Sequence, residues 1–382
     1  MSIVRSCQTL HACESMNRIG GVQTFVHEWV DADSSSFCLG LLDLATKVPF
    51  NTKKMGLRRS RIESVHKIRS RAGRLHLRCR TMICHNFHGL HALAGLIQYD
   101  RLVLYLHTNS EDVWERLERT HHLFDAIIAS GQSLADEVRR RVSPSILPVL
   151  PLEYPLSHQF FSAGKRKKDG TMIIGYAGRL VIEQKRPERL VPFCRNLGEM
   201  GVHYLLEIAG EGPCRHALQK ELAGLPVKFL GPLDRKEIMT AYSRWDLQIN
   251  TSDYETGPLT ILEGIAAGVI PILPNIECQA RVLLQPSFAG CIYERGNMVD
   301  AARQAGKILR QPAHESDKTR LDLKNLVQGR SIKNFLDEIH DFLERIHAVP
   351  AIRGPLVFCG SWMDWLPLSI RCKLSQGPEI LY

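Results

Sequence analysis

The sequence of 382 residues has no long apolar run and no CxxC pair. A membrane-spanning helix needs roughly 18 or more consecutive apolar residues, so we expect none here. The first residues lack the apolar core of a secretory signal, and we expect no signal peptide. The eleven cysteines match neither a disulfide framework nor a tetrahedral zinc pattern. We therefore expect a cytoplasmic protein with reduced, mostly buried thiols and no bound metal.

The composition is that of a folded protein, with 44% apolar and 23% charged residues. This balance excludes a wholly disordered or collagen-like chain, because enough apolar sequence is present to form cores. The length favours two domains of ordinary size over one.

The positive charge is concentrated in one segment. The net charge is +9, and residues 53–80 hold eleven cations but a single acid, Glu63. Such a run is often only a solvated face. It could also contact anionic lipid headgroups, where each basic residue adds about 1 kcal/mol. Nucleic acid is a third possibility, but the segment has no aromatic residue to stack on bases, and we expect no nucleic-acid partner. An anionic membrane surface is the favoured partner.

Apolar runs alternate with amphipathic stretches along the chain, which predicts parallel sheets covered by helices. In the first half, strands are predicted at 80–85, 102–107 and 126–129, with helices at 111–123 and 133–140. In the second half, strands are predicted at 172–177, 204–209, 227–230, 247–250 and 269–273, with helices at 187–200, 234–242, 258–267, 298–309 and 332–346.

A proline-rich stretch followed by a charged loop separates the two halves and is typical of a linker. We therefore predict an N-terminal domain over residues 1–150 that contains the basic segment 53–80. A linker follows over 151–170, with a hinge near residues 148–155. A C-terminal domain over 171–347 and a tail over 348–382 complete the chain.

The segment 253–268 carries the first candidate site residues. Pro258 stands at a predicted helix start, so the amides of Leu259 and Thr260 are expected to be open to an anion such as a pyrophosphate. Glu263, one turn further along, could accept hydrogen bonds from a ribose diol. Glu255 precedes the turn and could face a sugar ring. Two solvated surface carboxylates are the alternative.

Cations and glycines follow the predicted strands of the second half. Arg179 comes directly after strand 172–177, and Lys185 lies six residues later. Two cations there could neutralise a diphosphate leaving group, although a surface pair is the alternative. Gly212, after strand 204–209, allows a close backbone approach to a ligand. Gly257, beside the predicted helix start, completes the candidate donor-binding residues.

The motifs GYAGRL, IAGEGP, FLGPL and E-x(7)-E occur in this order over residues 171–310. Together they resemble the retaining glycosyltransferases of family 4, also called glycosyl transferases group 1. The resemblance is weaker over residues 1–150. It implies an α/β chain of the GT-B type, with two doubly wound Rossmann-like domains facing a central cleft. The N-terminal domain over 1–150 would bind the acceptor, and the C-terminal domain over 171–347 would bind the nucleotide sugar.

The resemblance also implies roles for individual residues. Glu263 would bind the nucleotide ribose and Glu255 the donor sugar. Arg179 and Lys185 would hold the diphosphate. Where many members have Glu-Gly-Phe-Pro, this chain has Glu-Thr-Gly-Pro at 255–258, so the loop on the sugar side is expected to differ in shape.

Two further matches lie in the N-terminal half and come from the resemblance alone. Gly20 and Gly21 fit a glycine pair that the family places against the donor phosphate. His107 fits a histidine that lies near the transferred sugar, with an ordinary structural histidine as the alternative.

The implied reaction moves a sugar from a nucleotide diphospho-sugar to an acceptor hydroxyl with retention of configuration. The leaving phosphate would help to deprotonate the acceptor, and no cofactor is required. We expect a glycan or lipid-linked acceptor in envelope polysaccharide or lipopolysaccharide synthesis, at the cytoplasmic face of the membrane. The alternatives are a noncatalytic sugar-nucleotide or polysaccharide-binding subunit and a basic nucleic-acid-binding protein.

Overall fold

The computed structural model describes residues 5–13, 15–16, 20–44, 53–59, 63–87, 90–93, 96–142, 147–162 and 171–346. The chain divides into two compact units. The first contains residues up to 152 and returns at Phe335, and the second spans residues 153–334. In the described ranges, every helix is too short or too polar to cross a lipid bilayer.

The first unit is built on a seven-stranded parallel sheet of order β3-β2-β1-β4-β5-β6-β7. Its strands are β1 (Arg5–Cys13), β2 (Ser36–Leu44), β3 (Lys54–Arg58), β4 (Leu77–His85), β5 (Gln98–Leu106), β6 (Ala126–Ser130) and β7 (Val149–Leu152). Its helices are α1 (Gly21–Ala32), α2 (Val65–Gly73), α3 (Leu90–Leu93), α4 (Glu111–Thr120) and α5 (Gln132–Arg141).

Burial explains why the middle of this sheet is easy to predict. β6 is buried at every position, and β5 is buried from Arg101 to Leu106. Strands covered on both faces read as continuous apolar runs, which is the pattern that the sequence shows here.

The second unit contains a six-stranded parallel sheet of order β10-β9-β8-β11-β12-β13. Its strands are β8 (Met172–Ala177), β9 (Tyr204–Ala209), β10 (Val227–Gly231), β11 (Leu247–Ile249), β12 (Ile270–Pro274) and β13 (Ile292–Tyr293). The helices that begin in it are α6 (His158–Phe161), α7 (Ile182–Lys185), α8 (Leu190–Glu199), α9 (Arg215–Glu221), α10 (Arg235–Tyr242), α11 (Leu259–Ala266), α12 (Gln279–Leu284), α13 (Met298–Leu309), α14 (Ala313–Val327) and α15 (Ile332–Arg345).

Local signals in the second unit agree closely with the structure. β8 and β9 have the predicted bounds, and Asp234 and Glu237 form the reciprocal capping box that opens α10. In both sheets the order in which strands are added reverses next to the first strand, between β1 and β4 and between β8 and β11. In doubly wound sheets, ligands bind outside the carboxyl ends of the strands at such a reversal.

The units do not end where the sequence predicts. The predicted linker 151–170 contains the end of β7 and the short helix α6, while residues 163–170 and the tail from 347 lie outside the described residues. The predicted C-terminal domain runs to 347, but from Phe335 onward α15 belongs to the first unit. The physical reason is aromatic packing, because the Phe335 ring lies 5.3 Å from Phe25 and 5.0 Å from Trp29 of α1.

Candidate functional site

The candidate site lies at the reversal between β8 and β11, which are hydrogen-bonded neighbours. The loop that leaves β8 carries Arg179 and, at the end of α7, Lys185. The loop that leaves β11 carries Glu255 and leads into α11. Parallel strands place these two loops at the same edge of the sheet.

Lys185 and Glu255 are in direct contact. The Lys185 Nζ lies 2.5 Å from the Glu255 Oε1, and the two side chains are 20% and 7% exposed. The same carboxylate oxygen accepts hydrogen bonds from the Ser252 hydroxyl at 2.7 Å and from the Asn250 amide at 3.3 Å. Limited access to water preserves much of the attraction between the two charges. The site therefore holds an oriented cation beside a carboxylate oxygen that accepts three hydrogen bonds.

A second acidic residue ties the two loops together. Asp253 accepts a hydrogen bond from Arg189 at 2.6 Å, and its Oδ2 lies 2.7 Å from the Arg186 Nε in an ion pair. The Thr251 hydroxyl donates to the carbonyl of Lys185 at 2.7 Å. The sequence alone does not predict these contacts, although Arg186 and Arg189 lie close to Lys185 and Asp253 lies two residues before Glu255. The contacts fix the backbone that carries the Lys185–Glu255 pair.

Arg179 lies at the end of β8 but does not join that pair. Its side chain is exposed and donates to the Gln184 side chain at 2.9 Å. Gln184 in turn donates to the carbonyl of Tyr254 at 3.3 Å. Arg179 is thus linked through Gln184 to the loop that carries Glu255.

Helix α11 brings its first turn to the end of β8. The Thr260 hydroxyl donates to the carbonyl of Ala177 at 3.3 Å. The helix begins at Leu259 without a side-chain cap, and the first amides of a helix have no partner within it. These amides and the partial positive charge of the helix end suit an anion.

Glu263 is buried in the second turn of α11. The Tyr242 hydroxyl lies 3.4 Å from its Oε2 and donates to the carbonyl of Thr260 at 2.8 Å. Burial and the neighbouring Glu263 carboxylate raise the pKa of Tyr242 well above its ordinary value, so this hydroxyl stays a donor. The Tyr242 hydroxyl therefore donates to the backbone of α11 beside the Glu263 carboxylate.

The two predicted glycines of this unit are required by packing. A Cβ on Gly212 would lie 2.4 Å from the carbonyl oxygen of Leu180, and one on Gly257 would lie 2.6 Å from the Tyr154 ring. Backbone and a buried ring cannot yield easily, so a side chain does not fit at either position. Close packing thus accounts for both glycines, and a role in donor binding stays a prediction.

The other three predicted site residues belong to the first unit: Gly20, Gly21 and His107. The residues described above belong to the second unit. Gly20 precedes α1 in an extended conformation that any residue can adopt, and Gly21 is the first residue of the helix. His107 directly follows β5 and is buried. Its Nε2 lies 2.7 Å from His85, and its Nδ1 lies 3.3 Å from the Ser130 hydroxyl.

Comparison with known families identifies the segment that contains the site. Residues 158–326 match the model of the family "Glycosyl transferases group 1". The resemblance to glycosyl transferases group 1 is therefore confirmed over this segment, which carries Arg179, Lys185, Glu255 and Glu263.

Two mycobacterial proteins are among the similar sequences. The GDP-mannose-dependent alpha-(1-6)-phosphatidylinositol dimannoside mannosyltransferase of Mycobacterium tuberculosis is 29% identical over 119 residues, 31% of each chain. The GDP-mannose-dependent alpha-mannosyltransferase of the same organism is 28% identical over 178 residues, 47% of this chain and 44% of that protein. The aligned parts thus span less than half the length of either relative.

Solved structures match over most of the chain. HepE from Anabaena, crystallised with UDP and glucose, has a TM-score of 0.70 at 14% identity and covers 88% of this chain and 99% of its own. The trehalose-phosphate synthase of Burkholderia xenovorans has a TM-score of 0.67 at 14% identity, and the match covers 89% of this chain and 100% of that protein. The fold class predicted from the sequence, α/β of the GT-B type, is confirmed.

Proposed function

We propose that this protein transfers a sugar from a nucleotide diphospho-sugar to an acceptor hydroxyl with retention of configuration. One observation carries the proposal: the Lys185–Glu255 pair, 2.5 Å apart, lies at the carboxyl ends of β8 and β11. Helix α11 begins in the loop after Glu255, so cations, open amides and a buried acid adjoin one strand reversal. Such a set matches a phosphate-rich, sugar-bearing nucleotide.

In the proposed reaction the protein stabilises the departing diphosphate. Arg179 and Lys185 neutralise its charge, and the amides of Leu259 and Thr260 donate to its oxygens. Glu263 accepts from the nucleotide ribose, and Glu255 faces the donor sugar. The leaving phosphate takes the acceptor proton. These groups supply positive charge without a metal, so we propose a metal-independent reaction.

The donor and acceptor classes follow from the relatives and the charge. The two mycobacterial relatives are named as GDP-mannose-dependent, and one is named for a phosphatidylinositol-linked acceptor. HepE was crystallised with UDP and glucose. We propose a hexose donated from a nucleoside diphosphate to a glycan or lipid-linked acceptor, in envelope polysaccharide or lipopolysaccharide synthesis. The basic segment 53–80 would favour the cytoplasmic face of an anionic membrane.

The test combines a donor panel with two variants. GDP-mannose, UDP-glucose, UDP-N-acetylglucosamine and ADP-glucose are incubated with the wild-type protein, with and without EDTA, and the released nucleotide is measured. We expect turnover of one donor regardless of EDTA, and losses of about 100-fold or more in Lys185→Ala and Glu263→Ala. The control variants Lys220→Ala and Glu277→Ala, at exposed helix or loop positions, should keep wild-type turnover. Near-normal turnover in either site variant would exclude these roles.

A noncatalytic sugar-nucleotide-binding subunit is the second candidate. It is favoured by the direct engagement of Lys185 by Glu255, which leaves less of its charge available for a leaving group. Calorimetric binding of a donor without any nucleotide release, with all acceptors tried, would support it over the transferase.

A further inference from the structure

Three buried histidines form a hydrogen-bonded row across the sheet of the first unit. His11 is on β1, His85 ends β4 and His107 follows β5. The His107 Nε2 lies 2.7 Å from the His85 Nδ1, and the His85 Nε2 lies 3.0 Å from the His11 Nδ1. The strands β1, β4 and β5 are consecutive neighbours, so the row crosses the β1–β4 boundary, where the strand order of the sheet reverses.

Each end of the row continues into a hydroxyl group. The Ser130 Oγ lies 3.3 Å from the His107 Nδ1, and the Ser36 Oγ lies 3.3 Å from the His11 Nε2. Ser36 donates its own hydrogen to the Asp33 Oδ2 at 2.6 Å. We call the series Ser130, His107, His85, His11, Ser36 and Asp33 the histidine relay.

The histidine relay is shielded from water. His11 and His85 are 0% exposed and His107 is 5% exposed. The Trp29 ring packs at 4.4 Å against His11, and the Phe25 ring at 5.7 Å against His107. Burial lowers the pKa of His11 to about 3 despite the nearby Asp33, so this ring is neutral. Among the described residues, no cluster of His, Cys, Asp or Glu side chains is arranged to hold a metal ion.

Asp33 is the fixed end of the series. Burial opposes ionisation of this carboxyl, but hydrogen bonds from Ser36 and Ser35 outweigh it and lower the pKa of Asp33. An ionised carboxylate only accepts hydrogen bonds, so Ser36 must donate to it. The single hydroxyl hydrogen of Ser36 is then used, and its oxygen has to accept from His11.

That requirement sets the direction of every bond that follows. His11 must carry its hydrogen on Nε2, which leaves Nδ1 to accept from His85. With His85 and His107 neutral like His11, His85 carries its hydrogen on Nε2, and its Nδ1 accepts from the Nε2 of His107. The Nδ1 of His107 is left as an acceptor for the Ser130 hydroxyl.

We propose that Asp33, acting through Ser36, His11 and His85, fixes His107 as the Nε2–H tautomer and holds its ring in place. The part of the proposal that concerns catalysis rests on the proposed function and on the place near the transferred sugar that the family resemblance implies for His107. In the neutral relay neither ring nitrogen of His107 is available as a proton acceptor for the substrate. The role of the other members is to position His107, and we class as positioning residues Asp33, Ser36, His11 and His85. The tautomer and the ring position of His107 are what they set.

The test reads the tautomers directly. Protein labelled with ¹⁵N-histidine is examined by long-range ¹H–¹⁵N spectroscopy at pH 7, with signals assigned from His11→Asn and His107→Asn variants. In the wild type, we expect His11, His85 and His107 each to show a protonated Nε2 and an unprotonated Nδ1. A wild-type His107 protonated on Nδ1 would overturn the proposal.

Ser36→Ala removes the link to Asp33 and should let the Nδ1–H tautomer appear at His11 and His107. Ser35→Ala is the matched control, because the Ser35 hydroxyl donates at 2.7 Å to the Asp33 Oδ1, whereas Ser36 donates to the Oδ2 and links Asp33 to His11. It should leave all three tautomers unchanged. Identical spectra for both variants would exclude Asp33 as the group that sets the direction.

A kinetic measurement separates positioning from general stability. With the donor identified by the panel, Ser36→Ala should lower kcat about tenfold and leave the affinity for the free nucleoside diphosphate unchanged. Ser35→Ala should change neither. Unchanged kcat in a Ser36→Ala variant with altered tautomers would overturn the catalytic part. If no donor is turned over by the wild type, the proposed function fails, while the spectra still decide the relay.

Discussion

Lys185 has two anions to neutralise in the proposed reaction, the Glu255 carboxylate and the donor diphosphate. The carboxylate also accepts from Ser252 and Asn250, so it stays hydrogen-bonded when Lys185 turns toward a ligand. Both side chains are largely buried, which makes the competition between the two anions significant. We therefore expect Glu255 to lower the positive charge that Lys185 presents to the diphosphate in the proposed reaction.

Glu255→Gln tests this competition. The substitution keeps the shape and an acceptor for Ser252 but removes the negative charge. We expect affinity for UDP or GDP, measured by calorimetry, to rise about fivefold, equivalent to about 1 kcal/mol. Transfer should fall, because the donor sugar loses its acidic neighbour. Glu277→Gln, an exposed acid paired with Arg281 at 3.0 Å, is the control. Weaker nucleotide binding would mean that Glu255 orients Lys185 instead of competing for it.

The sequence predicts which strand each candidate site residue follows, but it does not predict the contacts between these residues. The apolar run 172–177 ends just before Arg179, and the run 247–249 ends six residues before Glu255. Nothing in the sequence states that these two strands are neighbours, since 69 residues lie between them. The contact between Lys185 and Glu255 depends on the pairing of β8 with β11 and on the contacts of Asp253 with Arg186 and Arg189.

At the scale of elements, polar residues inside strands limit prediction in the first unit. β1 is not predicted from the sequence, because the buried Thr9 and His11 interrupt its apolar residues. β2 is not predicted either, although residues 37–42 form an apolar run before the buried Asp43. These polar side chains are buried because they have partners, as His11 has His85 and Asp43 has Ser15. A strand such as β1, which buries polar groups that have partners, gives no apolar run to detect.

Helix α15 shows a second limit. Its periodicity predicts a helix over 332–346, close to the observed Ile332–Arg345, and an apolar stripe with Phe335, Ile339 and Phe342. Periodicity does not say which core receives that stripe. The structure packs it against α1, in the first unit.

Phe335→Ala tests the docking of α15 on α1. Phe335 is 4% exposed and contacts two rings that also cover the histidine relay. Its truncation should lower the free energy of unfolding by about 3 kcal/mol or more, measured by urea denaturation. Leu321→Ala, at a 59% exposed position of α14, should change it by less than about 0.5 kcal/mol. Equal stability of the two variants would mean that α15 is not docked in solution.

Across the whole molecule, fewer cations are available for a partner than the composition indicates. Within the described part of 53–80, three cations are already paired: Lys54 with Asp31, Arg71 with Glu63, and Arg80 with Glu344. Four others are exposed, namely Arg59, Lys67, Arg74 and Arg78. The side chains of Arg58 and Arg61 lie outside the described residues. Any attraction to an anionic surface should depend mainly on the exposed set.

Flotation with lipid vesicles tests that dependence. We expect the wild-type protein to float with vesicles that contain phosphatidylglycerol and to stay behind with neutral phosphatidylcholine. Since each basic residue near an anionic surface adds about 1 kcal/mol, changing the four exposed cations to Gln should lower partitioning by about 100-fold or more. The control changes four exposed cations of the second unit to Gln, which alters the net charge equally: Arg195, Lys220, Lys228 and Lys236. Only the first variant should lose binding. Equal losses would point to net charge alone, and equal recovery of the wild type with both lipids would remove the membrane from the proposed function.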